Sequence, residues 1–533
     1  MNDDARHILY RLEAQRRLMI GVNTLADAVR VTMGPGGENV IIEQENGPPI
    51  LTKDGVTVAK AVNLLAQFEN MGAQIVKEAA AKTAETAGDG TTTATVLTQA
   101  LVKGGQKLIA AGHNPVKLRH GIRLATDEAC KILSEAGIAV SSDEEIINVG
   151  TISANGDRQV GEFLAEAMRH VGRGGVITVD EARGFTTSLD IVDGFELDRG
   201  FISPYFVTNQ ARGIVKFTNP KILLANKRLT SMQDILPLLE STRRSSESLL
   251  IIADDVDGEA LKMCVLNSLK GIVQVCILRA PEFGETRVEA LQDLAALFGT
   301  RLYTAGEDLP TDISELGTCE KFEASRNASI FVGMIRQNEE EVEFRRQGVK
   351  EALKHPGLDD QIDSYLHRRL ARLSGGIAVI RVGGSTELEL KERKDRIDDA
   401  VHATRAAVQG GIVAGGGTAF LHATRLMKNS KGIPVDLDEL AGWNLLVTSL
   451  EAPLKQIVKN AGLVPDVVMA KITSNPRFGF DARNAKYCDL LKNGIIDPLP
   501  VVVAALEHAT SAALNLLSVG CAMVLEKNDI FSE

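Results

Sequence analysis

The two ends of the chain share a texture that its middle lacks, and this limits the architecture more than any single motif does. Apolar residues recur at helical spacing over residues 18–31, again through Leu64, Phe68, Met71, Ile75, Val76 and Ala79, and over residues 94–110. Between about Val176 and Val382 the pattern shortens to β-rich runs at 176–179, 222–224, 249–252 and 377–380, separated by helical stretches, which predicts α/β layering. A charged helical stretch over 387–408 then leads to Gly415-Gly416-Gly417, and helical patterns resume. A chain of 533 residues exceeds what one hydrophobic core supports. The reading that joins these facts is a mostly helical, discontinuous domain built from both ends, with an α/β domain inserted between them.

The breaks in the helical pattern are where chemistry can sit. The first helix must stop at Gly34-Pro35-Gly36-Gly37. A hairpin follows, in which residues 40–42 and 50–51 flank Asn46-Gly47, with Pro48-Pro49 marking a loop or edge, and it ends in Thr52-Lys53-Asp54-Gly55. The strongest signal is Gly88-Asp89-Gly90-Thr91-Thr92-Thr93 between two helical runs. A glycine turn feeding a helix N-terminus offers free N–H groups and a positive dipole end to an anion, three hydroxyls add donors, and a carboxylate there suits the magnesium that accompanies phosphate. The same string also fits a plain capped helix start. It lacks the Gly-Lys-Ser/Thr ending of a P-loop.

Composition narrows the alternatives. A formal net charge of −11 argues against a nucleic-acid partner, and 44% hydrophobic with 24% charged residues describes an ordinary globular chain. Six isolated cysteines, none in C-x-x-C spacing, predict buried thiols in a reducing compartment. The acidic start fits neither a signal nor a transit peptide, and no run approaches the ~18 consecutive apolar residues of a membrane span, so a cytoplasmic protein without a membrane partner is expected. The histidines form no H-E-x-x-H cluster and no Gly-x-Ser-x-Gly elbow is present, which leaves a small-molecule enzyme built on the same glycine turn without a second catalytic constellation. In the middle segment Leu236 and Leu239 share one helix face, and Leu261 and Val265 another, with Leu266 beside them. Such stripes are core unless exposed, and exposed they mark a partner site.

Taken together and in order, these pieces resemble the group I chaperonins, over about residues 21–528. The stretches that carry the resemblance are 23–36, Phe68-Glu69-Asn70-Met71-Gly72-Ala73-Gln74, 87–96, Gly150-Thr151-Ile152-Ser153-Ala154-Asn155 and His402-Ala403-Thr404-Arg405-Ala406-Ala407. The resemblance implies an equatorial domain from residues 1–135 and 410–533, an intermediate domain from 136–192 and 377–409, and an apical α/β domain over 193–376. It implies an ATP pocket in which Thr32, Met33, Gly34, Pro35 and Asp89 to Thr93, including Gly90, Thr91 and Thr92, wrap the phosphates. Lys53, Gly416, Asp481, Ala482, Arg483 and Asp497 would surround the nucleotide. Asp89 matches the magnesium-binding acid, Asp399 the acid that positions or activates the attacking water, and Asp54 a second acid beside it; potassium is a further expected cofactor. Gly194, Gly376 and Gly411 would be hinges. Phe201, Tyr205, Phe206, Leu236, Leu239, Leu261, Val265 and Leu266 would bind non-native polypeptide and a co-chaperonin lid, in a heptameric ring whose ATPase drives protein folding.

The chain departs from that pattern at definite places. Gly36-Gly37-Glu38 stands where the family has Lys-Gly-Arg, Asp481-Ala482-Arg483 where it has Asn-Ala-Ala, and Gly410 where it has an acid. Val464 replaces an acid that makes ring-to-ring ion pairs, although its basic counterpart remains as Lys455. These changes keep open a second reading, a non-cycling paralogue that binds clients with weak ATPase.

Overall fold

The computed structural model describes residues 6–44, 49–154, 156–172, 175–182, 184–210, 212–334, 339–353, 360–472 and 475–525. The Asn46-Gly47-Pro48 turn, Asn155 and the last eight residues lie outside the described residues. The chain divides into two compact units, one of Met1–Glu166, Val179–Ser188 and Arg381–Glu533, the other of Ala167–Thr178 and Leu189–Ile380. The segments expected as a third, intermediate domain are shared between these two, most of them falling with the unit built from both ends.

That first unit is a helical core. Its central helix, Leu499–Leu517, is apolar nearly all round and buries Val502, Leu506, Ala509, Ala513 and Leu517 against the Gln67–Ala87, Thr91–Ala110 and Pro115–Glu135 helices. By length and composition it could cross a membrane, but 67% of its apolar window is buried inside the protein, as in the core helix of a folded domain. Glycines set how closely the outer helices approach. A Cβ on Gly72 would fall 2.0 Å from the Leu18 carbonyl oxygen, and one on Gly21 1.7 Å from that of Glu69, so the Arg11–Val29 and Gln67–Ala87 helices touch backbone to backbone. The Val40–Ile42 and Ile50–Thr52 strands pair antiparallel as the hairpin pattern predicts.

The second unit holds the predicted α/β layers. Seven strands of its ten-stranded sheet run in the order Gly376–Val382, Ser188–Leu197, Ser329–Met334, Gly317–Ala324, Lys221–Leu229, Ser248–Val256 and Gln274–Arg279. The last three strands are parallel, joined by the Met232–Ser245 and Gly258–Leu269 helices, and are apolar through their middles, 222–225, 249–253 and 275–278, where both faces are covered. Phe195, Phe298, Phe322 and Phe331 stack in its core with ring centroids 5.0–5.8 Å apart. The Asp360–Ser374 helix is pinned by Arg369, which donates to the buried Asp293 carboxylate at 2.7 and 3.0 Å.

Candidate functional site

In the helical unit several acids converge from segments far apart in sequence. Asp54 caps the short Gly55–Ala61 helix, accepting from Val56 N–H at 2.9 Å, Thr57 N–H at 2.9 Å and the Thr57 hydroxyl at 2.6 Å. A Cβ on Gly55 would lie 2.2 Å from Thr92 Oγ1 and 3.0 Å from Thr91 Oγ1, so this helix start abuts that of Thr91–Ala110. Between them Gly88 and Gly90 take φ +75° and +88°, a left-handed pair that only glycine adopts readily. They bracket Asp89, whose Oδ1 accepts from Gly90 N–H at 2.5 Å. No side chain caps the Thr91–Ala110 helix, so its first-turn N–H groups lack a side-chain acceptor.

The Glu387–Gly410 helix brings Asp399 to the same place. A Cβ on Gly88 would be 2.2 Å from His402 Cβ. On the fourth side, the Ile496–Pro498 strand pairs with Ile412–Ala414 and sets Asp497 under the glycine triplet, where Gly416 N–H donates to its carboxylate and a Cβ on Gly415 would be 3.0 Å from Oδ1. Burial, then the charges of Asp54 and Asp89, holds Asp399 well above the ordinary carboxylate range. Burial raises Asp89, opposed by the Gly90 N–H and reinforced by Asp54. Asp497 is pushed up to about 7 by burial and then by Asp89, against the Gly416 hydrogen bond. All three retain some exposed surface, yet protein encloses them on most sides.

The 32–35 loop is held from beneath. Thr32 Oγ1 donates to the Val29 carbonyl at 2.9 Å, Met33 is buried against Val96 and Ile457, and Ala482 packs on the same cluster, which places the 481–483 turn beside the loop. Sequence reasoning missed Asn460, whose Nδ2 donates to the carbonyls of Arg30 and Met33 at 2.9 Å each; no pattern around it marks a clamp. The loss of the lysine at Gly36 has a local physical counterpart, because a Cβ there would fall 2.7 Å from the Asn460 carbonyl oxygen. The acid at position 481 is absorbed by its own turn: Asp481 accepts from Arg483 N–H at 2.9 Å, Asn484 N–H at 3.2 Å and Asn484 Nδ2 at 2.7 Å. Arg483 lies over Gly156, where a Cβ would be 2.0 Å from its Nη1. Lys53 is half-buried beside Asp54, and Pro35 is exposed.

Among the described residues no group of three or more His, Cys, Asp or Glu side chains forms a metal cage. The arrangement nevertheless fits magnesium carried by a phosphate ligand, since that ion takes one or two carboxylates and completes its shell with waters and phosphate oxygens. Asp89 at an uncapped helix start supplies both parts.

In the α/β unit the expected polypeptide-binding residues divide. Tyr205 is 59% and Leu266 52% exposed, while Phe201, Leu236, Leu261 and Val265 are half-buried. Phe206 at 1% and Leu239 at 3% are core, which corrects their assignment to an exposed binding face: both join the hydrophobic cluster under the sheet. Leu269 and Ile272, 58% and 45% exposed, continue the surface beyond Leu266; Leu269 extends the i, i+4 series of Leu261 and Val265, whereas Ile272 lies past the helix end and carried no signal in the helical spacing.

Comparison with known proteins places this geometry. The profile of the TCP-1/cpn60 chaperonin family matches residues 25–527. Two crystal structures of the chaperonin gp146 from bacteriophage EL 2 (Pseudomonas aeruginosa), both in the presence of ATP-BeFx, share the fold at 22% sequence identity. Crystal form II superposes with a TM-score of 0.68 and form I with 0.62, each over 98% of this chain and 99% of the phage protein. The chain belongs to the TCP-1/cpn60 chaperonin family.

Proposed function

We propose that this chaperonin binds and hydrolyses ATP, and that the cycle governs capture and folding of non-native polypeptides inside a ring of identical subunits. The observation that carries the reading is the convergence of Asp54, Asp89, Asp399 and Asp497 around the uncapped start of the Thr91–Ala110 helix. Like charges gathered in a partly enclosed site disfavour one another unless a cation joins them, and an open helix N-terminus favours an anion. Magnesium nucleotide answers both demands. Crystallisation of the phage chaperonin in the presence of ATP-BeFx lends support from a protein of the same fold.

Bound Mg-ATP supplies the transferable phosphoryl group. Asp89 would hold the metal, the N–H groups of Thr91 to Thr93 and the 32–35 loop would cradle phosphate, and Lys53, Ala482, Arg483 and Asp497 would border the rest of the nucleotide. Asp399, raised by burial and by its acidic neighbours, would in its ionised form accept a proton from an attacking water, with Asp54 as the second acid. Potassium is the expected monovalent partner.

Two small sheets support ring assembly. Arg6–Tyr10 pairs with Cys521–Leu525 and Val40–Ile42 with Ile50–Thr52, each a two-strand sheet with open edges, and Ile41, Leu51 and Leu525 are 69%, 42% and 52% exposed. Isolated pairs are marginal, and edge addition between different surfaces of successive copies closes into a ring when the rotation allows. The apolar surface at Tyr205 and Leu266 is where clients, and a co-chaperonin lid displacing them, would dock.

The test is capture and release of a chemically denatured enzyme. The protein is expected to suppress its aggregation at stoichiometric ratio and to release it, with activity regained, on adding Mg-ATP and a lid protein. Capture without nucleotide-driven release identifies the non-cycling paralogue; no capture at all overturns the reading.

A further inference from the structure

The unit that contains Leu189–Ile380 carries a cavity of about 810 Å³ that the nucleotide reading does not use. Its wall is formed by Val171, Gly194, Phe195, Glu282, Arg368 and Arg372 among others. Arg372 is only 8% exposed, and the nearest carboxylate oxygen, Glu282 Oε1, stands 3.6 Å from its terminal nitrogen, beyond hydrogen-bond length. The same oxygen is 3.6 Å from Arg368. Besides this, Arg372 Nε donates a long bond of 3.4 Å to the Arg368 carbonyl. A guanidinium has five donors, and a buried cation left short of partners is costly to keep. Burial accordingly holds Arg372 below its usual range, and Glu282 only partly offsets this.

Two further features point to a ligand. Glu282 sits at φ +61°, a left-handed backbone that strains a non-glycine residue and that gathers at ligand clamps and active sites. The rest of the wall mixes apolar groups, Val171 and Phe195, with charges of both signs, the acids Glu196 and Asp198 beside Arg199 and His170, so it is the buried Arg372 that singles out an acidic head.

We propose that this cavity binds a small amphipathic anion, its acidic head on Arg372 and its apolar body against Val171 and Phe195. Carboxylate and phosphate-monoester heads share the required chemistry, and the experiment separates them. Full-length protein is titrated in a calorimeter with octanoate, octyl phosphate and octanol, each below its micellar concentration. One-site binding by octanoate or octyl phosphate and none by octanol is expected, and the tighter of the two names the head group. Arg372→Gln should weaken binding about tenfold or more, since a charge-assisted hydrogen bond is lost. Ala371→Trp, which narrows the cavity and leaves Arg372 in place, should weaken it as well and guards against a folding defect in the first variant. Equal binding of octanol, wild-type binding by both variants, or loss of binding in Leu266→Ser instead overturns the proposal.

Discussion

Gly88 and His402 stand so close that a side chain on the glycine would put its Cβ 2.2 Å from that of the histidine. The turn that carries Asp89 and the helix that carries Asp399 therefore meet with no room between them. Gly88→Ala would add a left-handed strain of about 1–2 kcal/mol to this clash and push the two acids apart. A displacement near 1 Å is enough to cost about a hundredfold in turnover. Calorimetric unfolding and steady-state phosphate release check both effects; a variant with wild-type values of each would contradict the contact's importance.

Three raised acids give the ligand-free protein a definite pH dependence. Asp497 titrates at about 7 in the fold and near 3.9 when unfolded. Its contribution to stability is fully present below about pH 4, and is lost as pH rises through 7, because the native state holds a proton that the unfolded chain has released. Asp89 and Asp399 act in the same direction. The Tm of wild type in EDTA should therefore fall relative to Asp497→Asn between pH 5 and 8, and magnesium nucleotide should raise the wild-type Tm more at pH 8 than at pH 5.5. Parallel curves for the two proteins would refute the assignment.

Asn460 ties the 32–35 loop to the helix below through two backbone carbonyls. Asn460→Ala leaves both without that donor, a loss of about 1–3 kcal/mol. Urea unfolding should show a lower midpoint, and nucleotide affinity should drop about tenfold, with substitution by Asp failing to rescue because it cannot donate. Unaltered nucleotide affinity would mean that the loop does not touch the ligand.

Leu239 and Leu266 separate core from client surface. Leu239→Ala removes a buried side chain and should cost about 2–5 kcal/mol in unfolding free energy. Leu266→Ser, at a half-exposed position, should leave stability within about 0.5 kcal/mol and reduce suppression of aggregation. If the second variant captures denatured enzyme as well as wild type does, clients bind elsewhere.

The sequence shows the layered plan because its cause is local. Period-3.6 runs at both ends became the helical core, and the apolar runs at 222–224 and 249–252 became buried parallel strands. Asp89 was legible in its glycine turn, but its grouping with Asp54, Asp399 and Asp497 came only through the family resemblance, since no spacing joins the four; chain topology does. Asn460 escaped for the same reason. Its partners lie more than 400 residues away. Leu239 shows the opposite limit: a helical stripe records that a face is apolar but not which turn of it meets solvent, and here Leu239 packs inward while Leu236 is half-buried.

Phosphate release from Mg-ATP in potassium buffer, comparing wild type with Asp399→Asn, tests the central claim most directly. The account predicts steady turnover by wild type and a variant that still binds ATP but hydrolyses it about a hundredfold or more slowly, as expected when a positioned base is removed. Equal rates in the two proteins, or no nucleotide binding by either, would contradict it.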